Sequence, residues 1–125
     1  MIQQRTVLKV SDNSGAKAVR CIKVFGGFKK KYAKIGDVIL VSIKHLRNRS
    51  KRTSKVRKGE IYKAVIIRTK TKVRKVNGVE LLYFKNTVAL INKHGNPLGT
   101  RILTFVPKFL RKKFPKFASI SFGIT

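Results

Sequence analysis

The charge of this chain is the feature that most limits what it can fold into. It carries 31 lysines and arginines against four aspartates and glutamates, for a formal net charge of +27. Few of these cations can find a carboxylate partner inside a fold, so self-repulsion destabilises a compact state that stands alone. A polyanion relieves that repulsion. Nucleic acid and anionic membrane surfaces are the two abundant candidates.

The chain can still build a hydrophobic core. Its 125 residues are 42% hydrophobic and include only three prolines, unlike a disordered basic tail. We expect one domain over residues 1–125, with residues 104–125 as a helical C-terminal appendage. The longest apolar runs, such as 38–41, are strand-sized and far below the roughly 20 residues of a membrane span. We therefore expect no membrane partner.

Short β-branched segments recur along the chain and predict strands at 6–10, 18–25, 38–43, 61–68, 79–84 and 87–91. Turn residues such as Asp12–Gly15 and Asn96–Gly99 separate them. Asn77-Gly78 between two extended stretches is typical of a hairpin. This spacing favours a mainly β fold, a small barrel or sandwich. Near the end, Val106, Phe109, Leu110 and Phe114 recur at helical spacing, with Pro107 in the first turn, and we expect Pro115 to end that helix.

The predicted hairpin carries the strongest binding signal. Arg68, Lys70, Lys72 and Arg74 are spaced by two, so in a strand they share one face, about 6.6 Å apart. That spacing approaches the phosphate repeat of a nucleic acid, and we favour phosphate contact over a solvated face that only blocks edge pairing. Glu80 on the returning strand is expected to pair with Arg74.

Two further basic segments stand out. The loop 44–58 contains no evident core residue, and we expect phosphates to order it; the alternative is an ordinary solvated charge run. A second cluster precedes Tyr32, and for it the two interpretations are balanced. The candidate RNA-binding residues of these segments are Lys29, Lys30, Lys31, Arg47, Arg49, Lys51, Arg52, Lys55, Arg57 and Lys58.

The remaining side chains favour structural roles. We expect Tyr62, Tyr83 and Phe84 to lie in the core, and Phe105, Phe109, Phe114, Phe117 and Phe122 to dock the tail onto the barrel. Lone Cys21 is expected to pack as a small hydrophobe, and His45 and His94 to lie in loops. A nucleic-acid hydrolase would need clustered carboxylates or metal ligands, but Asp12, Asp37, Glu60 and Glu80 are scattered. We expect no enzyme, no cofactor and no small-molecule substrate.

The motifs stand in an order that resembles one known family. Met1-Ile2-Gln3 is followed by V-S-D-N-S-G-A at 10–16, C-I-K-V at 21–24 and Gly36-Asp37. The most distinctive stretch is A-V-I-I-R-T-K at 64–70, followed by Asn77-Gly78, Tyr83, Asn86, Leu90 and G-T-R-I at 99–102. Over nearly its whole length the chain is similar to the ribosomal protein L-fourteen family of the large ribosomal subunit.

The resemblance implies a five-stranded β-barrel with a protruding hairpin and a short helical C-terminal region. It implies binding to large-subunit rRNA, contact with neighbouring ribosomal proteins and a bridge to small-subunit rRNA, for which the loop 44–58 is our candidate. It adds Asn13 and Ser14 to the RNA-binding residues. Thr100, Arg101 and Lys116 match positions where a ribosome-silencing factor can dock.

The chain departs from the family pattern at Ala89, where the signature has Val, and at Lys112-Lys113, in a region that is often acidic in bacterial members. The acid-poor, Lys-, Ile- and Phe-rich composition indicates an organelle-encoded protein of the mitochondrial matrix, with a bacterial cytoplasm or a plastid as alternatives. The competing function is a free single-stranded nucleic-acid-binding module on an OB-like barrel. Such a module interleaves basic residues with exposed aromatics, a pattern we do not find in this sequence.

Overall fold

The computed structural model describes residues 2–47, 55–74, 76–108 and 110–124. Its elements follow one another along the chain as β1 Val7–Val10, β2 Ala16–Val24, β3 Val38–Leu46, β4 Ile61–Arg68, β5 Val73–Arg74, β6 Glu80–Leu81, β7 Thr87–Ile91, β8 Ile102–Val106, α1 Leu110–Lys113, α2 Pro115–Ile120 and β9 Ser121–Ile124. The fold is mainly β, as predicted, and the predicted bounds of β4 and β7 are confirmed.

Five of the strands close into a barrel in the order β1-β2-β3-β4-β7. Neighbours are antiparallel except β1 and β7, which run parallel, with Lys9 opposite Thr87 and Val10 opposite Val88. The β2–β3 pairing shifts register between Cys21 and Lys23, an irregularity that lets a sheet bend. Closure gives each barrel strand a neighbour on both sides, so the barrel has no open edge.

The strands β4 and β7 are buried on both faces. Residues 64–67 and 88–90 are each at most 1% exposed, although successive side chains of a strand point to opposite faces. One face lines the barrel interior, so the other must be covered from outside. Val106, Leu110 and Phe117 of the C-terminal segment belong to the same buried cluster as these strands, so the core extends beyond the barrel interior.

Several expectations about the elements are wrong. The strand β3 extends to Leu46, so His45 lies in a strand and not in a loop. Pro115 ends α1 but also opens α2 in its first turn, where a missing N–H costs nothing. The chain then adds β9, parallel to β8, which the sequence did not predict.

Candidate nucleic-acid interface

The turn before β2 is organised around a buried carboxylate. Asp12 is 2% exposed and accepts hydrogen bonds from the backbone N–H groups of Ser14 and Leu90, at 3.1 and 3.0 Å. Burial raises the pKa of Asp12, although the bonds from Ser14 and Leu90 and the nearby charge of Arg47 oppose the shift. Asp12 therefore joins this turn to β7, the structural role expected of it.

Asn13 and Ser14 are held inside the same turn region. The Asn13 side-chain oxygen accepts from the backbone N–H groups of Thr100 and Arg101, at 2.7 and 3.1 Å, and its amide nitrogen donates to the Thr100 hydroxyl. A Cβ on Gly99 would lie 2.7 Å from that oxygen, so glycine is required there. The Ser14 side chain is 1% exposed and donates to Asp12, which leaves it no surface for direct RNA contact.

The ends of the basic loop are fixed to this turn. The backbone N–H of Arg47 donates to Gly15 and that of Lys55 donates to Ser14, at 2.9 and 3.1 Å. Val56 is fully buried, so the expectation that nothing in the loop joins the core is wrong. Arg57 and Lys58 are exposed. The predicted contacts Arg49, Lys51 and Arg52 lie outside the described residues.

The hairpin forms, but its basic residues do not share one continuous strand. The strand β4 ends at Arg68, and pairing resumes only at β5. The Arg68 guanidinium donates to the carbonyl of Phe105 at 2.9 Å and lies 5.0 Å from the centroid of the Tyr83 ring. Arg68 thus ties the arm's base to β8, and the prediction that the four basic residues lie on one strand is wrong. The side chains of Lys70 and Lys72 are exposed.

Carboxylates also hold side chains in the hairpin and next to β4. Glu80 lies opposite Arg74 across the hairpin, with ion-pair distances of 3.2 Å to Arg74 and 3.9 Å to Lys72; the predicted Arg74–Glu80 pair is confirmed. Glu60 accepts from the Tyr62 hydroxyl. Burial, together with that bond to Glu60, raises the pKa of Tyr62 to about 12.

The loop at residues 26–32 is anchored by Asp37. This carboxylate accepts from the backbone N–H of Lys34 at 2.8 Å and from the Lys30 ammonium at 3.0 Å. Partial burial alone would raise the pKa of Asp37, but the Lys34 and Lys30 donors outweigh it and hold the pKa below its usual value. Lys29 and Lys31 remain exposed at the tip.

Another cluster of cations joins the predicted Arg47 to two residues that the sequence did not indicate, Lys9 and Lys17. Lys9, Lys17 and Arg47 line a cleft of about 370 Å³ beside β1. The neighbouring ammonium group of Lys85 lowers the pKa of Lys9. Crowded ammonium groups of this kind favour an anion between them. Strand pairing in the barrel brings Lys9 and Lys85 together, and the local spacing of residues in the sequence does not show this.

The predicted factor-docking residues are exposed at the turn that Asn13 holds. Thr100 and Arg101 bond to Asn13 through their backbone, and the Lys116 ammonium on α2 donates to the Asn96 side chain. The hydrogen bond from Lys116 joins α2 to the loop that leads into Thr100. The three residues therefore border one region built from distant parts of the chain.

Exposed aromatics also occur beside cations, contrary to expectation. Phe28 is 92% exposed with the Lys29 ammonium 5.4 Å from its ring centroid. Phe84, expected in the core, is 88% exposed, and Phe122, expected to dock the tail, is 77% exposed. Phe117 is buried as predicted. The absence of exposed aromatics thus cannot be used against a single-strand-binding function.

In the described part of the chain, no helix is both long and apolar enough to cross a bilayer. Across the same residues, no three His, Cys, Asp or Glu side chains are grouped where they could hold a metal ion. The surface is instead dominated by cations. Ion pairs among the described residues involve Lys30, Lys72 and Arg74.

A comparison with protein families matches residues 1–124 to the family described as ribosomal protein L14p/L23e. The match covers the barrel, the hairpin and the C-terminal segment together. It agrees with the order of motifs found from Met1 to Ile102 and with a closed five-stranded barrel. The chain therefore belongs to the ribosomal protein L14p/L23e family, a family of structural, non-enzymatic constituents of the large ribosomal subunit.

Proposed function

We propose that this chain binds large-subunit rRNA by neutralising phosphates around a rigid barrel. The observation that carries the proposal is the distribution of charge. All four carboxylates are engaged within the fold, through Asp12, Asp37, Glu60 and Glu80, and a net charge of +27 remains to be balanced by counterions. RNA phosphates supply those counterions, and the release of condensed ions favours binding.

The proposed contacts occupy three surfaces. They are the tip of the loop at residues 26–32, the exposed arm that carries Lys70 and Lys72, and the cleft of Lys9, Lys17 and Arg47. The lining of the cleft supports this assignment, because a phosphate placed among Lys9, Lys17 and Arg47 reduces the repulsion between their charges. Ser14 acts through the turn it stabilises, and Arg68 positions the arm.

The finer assignments rest on family resemblance. We propose that the loop 44–58 meets small-subunit rRNA in an inter-subunit bridge and that neighbouring ribosomal proteins cover part of the remaining surface. Thr100, Arg101 and Lys116 would face a silencing factor. We assign the ribosome to the mitochondrial matrix on the composition of the chain.

The test is charge reversal in the arm. Lys70→Glu with Lys72→Glu should leave the barrel folded and impair entry into the large subunit, because two phosphate contacts become repulsive. On isolated RNA, losing two contacts should reduce the salt slope of binding by roughly 1.5. Sedimentation of the tagged variant with large subunits gives the first readout, and binding across a salt series gives the second.

Lys93→Glu with Lys108→Glu is the matched control, because both residues are exposed and lie outside the proposed contacts. Normal incorporation of the arm variant would contradict the assignment of RNA contacts to the arm. Ultraviolet crosslinking of the wild-type chain tests the function itself. Crosslinks confined to large rRNA support it, and crosslinks scattered over many transcripts would favour a free RNA-binding module.

A further inference from the structure

We infer that the loop at residues 26–32 forms, with the residues before β1, a pocket that captures an unpaired RNA base by stacking it on Phe28. The inference rests on the proposed function and deepens it. It names the RNA element held at this surface as a single-stranded nucleotide rather than a run of duplex phosphates.

Phe28 has no role in the barrel that would explain its ring. The side chain is 92% exposed, so it contributes almost nothing to the core. A single exposed apolar residue is common and needs no explanation. This one stands beside the Lys29 ammonium, 5.4 Å from the ring centroid, and at the rim of a cleft. An aromatic face among cations is the arrangement that holds stacked bases in single-strand-binding proteins.

The cleft has the size and chemistry of a small-ligand site. Its volume of about 830 Å³ lies within the usual range for such sites. It is lined by Gln3, Gln4, Arg5, Lys23, Val24, Gly27, Phe28, Lys29, Lys30 and Lys31. The two glutamine amides can bond to base edges, and the cations suit a phosphate or an aromatic partner.

The cations around Phe28 are available. Lys30 is paired with Asp37 at 3.0 Å, whereas no ion pair is found for Arg5, Lys23 or Lys29 within the described ranges. If an apolar segment of a partner protein bound Phe28 instead, that protein would have to place acidic side chains beside each of these charges. An RNA strand brings a phosphate with every base, so a nucleotide satisfies the ring and the cations together.

The pocket is pre-organised. Ala33 exchanges two backbone hydrogen bonds with Ile2, at 2.7 and 3.0 Å, which fixes the loop to the N-terminal segment. Among the described residues other than glycine, Arg5 and Lys29 have positive φ, 68° and 55°. Both line this cleft. Sparsely populated backbone of this kind persists where surrounding contacts hold it, and a loop held in place loses less entropy on binding.

The absence of tryptophan in the chain makes a direct test available. Phe28→Trp places one fluorophore at the proposed stacking site. We expect a uridine oligonucleotide of about eight nucleotides, within the usual site sizes, to quench it strongly. A blunt RNA duplex of the same nucleotide count should quench it weakly. Phe122→Trp is the matched control, since Phe122 on β9 is 77% exposed and lies outside the cleft and the other proposed RNA contacts, and it should stay bright with both RNAs.

Affinity supplies an independent readout. Phe28→Ala should weaken binding of the oligonucleotide roughly tenfold, as for one lost stacked base, and Phe28→Tyr should restore it. The salt slope should not change, because no phosphate contact is removed. Lys29→Gln should instead reduce the slope by about 0.7.

The outcomes separate the two proposals. If the oligonucleotide binds but Phe28→Trp is unquenched, or if Phe28→Ala binds it as tightly as the wild type, the stacking inference is overturned. If Phe28→Ala loses only its attachment to assembled subunits, the ring contacts a protein and the inference is again overturned. Failure of the wild-type chain to bind any RNA would overturn the proposed function itself.

Discussion

The loop at residues 26–32 and the hairpin arm at residues 69–86 are both basic, but they differ in which of their cations are paired with a carboxylate. In the arm, Glu80 lies between Arg74 and Lys72, at 3.2 and 3.9 Å. In the loop, Asp37 forms an ion pair with Lys30, and Lys29 remains exposed. The position of one carboxylate in each region therefore decides which cations are available to a partner.

The two carboxylates also differ in what they stabilise. The Asp37 side chain is 20% exposed and accepts a backbone hydrogen bond from Lys34 at 2.8 Å. The Glu80 side chain is 42% exposed, and its partners Lys72 and Arg74 are 68% and 78% exposed. Exposed ion pairs contribute little to stability. Asp37 should therefore matter to folding, and Glu80 to binding.

The largest expected effect comes from removing the anchor. Asp37→Ala should lower the free energy of unfolding by about 1–2 kcal/mol, because Lys34 and Lys30 lose a charged acceptor in a partly buried site. Glu80→Ala is the matched change in the arm and should cost less than about 0.5 kcal/mol. Urea unfolding followed by circular dichroism measures both. Equal losses for the two variants would show that the arm is as tightly coupled to the fold as the loop.

A smaller effect is expected on RNA affinity, with the opposite preference. Glu80→Gln should tighten binding of large-subunit rRNA fragments roughly two- to fivefold at low salt, because Lys72 and Arg74 lose a competing anion. Asp37→Asn should tighten it less, since the Lys30 side chain is 30% exposed whereas those of Lys72 and Arg74 are 68% and 78% exposed. Fluorescence anisotropy at low and high salt checks both variants. A gain that survives high salt would contradict an electrostatic cause.

The smallest effect is a change in how stability depends on pH. The pKa of Asp37 is lowered in the folded chain, so its contribution is present above the ordinary value of 3.8 and is lost as pH falls through the folded pKa. The pKa of Asp12 is raised, so its contribution is complete below 3.8 and is lost as pH rises through the folded pKa. The two groups oppose each other in the acid range.

Asp12→Asn should therefore steepen the loss of stability towards acid, and Asp37→Asn should flatten it. Urea unfolding repeated across the acid range gives the slopes, and the comparison uses slopes because Asp12→Asn also disturbs buried hydrogen bonds. If stability depends on pH with the same slope in both variants, the pKa values of Asp12 and Asp37 are not shifted in opposite directions, contrary to what their surroundings require.

Local chemistry predicted much of the barrel. Short runs of β-branched residues bounded by turn residues located β4 and β7 with their observed bounds, and Asn77-Gly78 located the hairpin. Cys21 is 1% exposed, and Ala89 is fully buried, as expected of a small hydrophobe and of a core strand. These predictions succeeded because strand propensity and turn formation depend on residues close together in the chain.

The errors arose where distant segments decide exposure. Phe84 resembles a core residue by its neighbours, but the paired part of the returning strand stops at Leu81. Phe122 lies on β9, which pairs with β8 and leaves the ring exposed. Arg68 was assigned to the phosphate-facing arm, but the carbonyl of Phe105 holds it. No local sequence pattern indicates such contacts between distant segments.

The mainly β class, the strongly positive charge and the family could be read from the sequence without the structure. Each of these follows from composition, short-range patterns or the order of motifs. Only the tertiary structure decided which cations are unpaired, which aromatics are exposed and that Asn13 binds Thr100, a residue 87 positions away. The physical reason is that availability of a side chain depends on what the rest of the chain places around it, and barrel closure sets those neighbours.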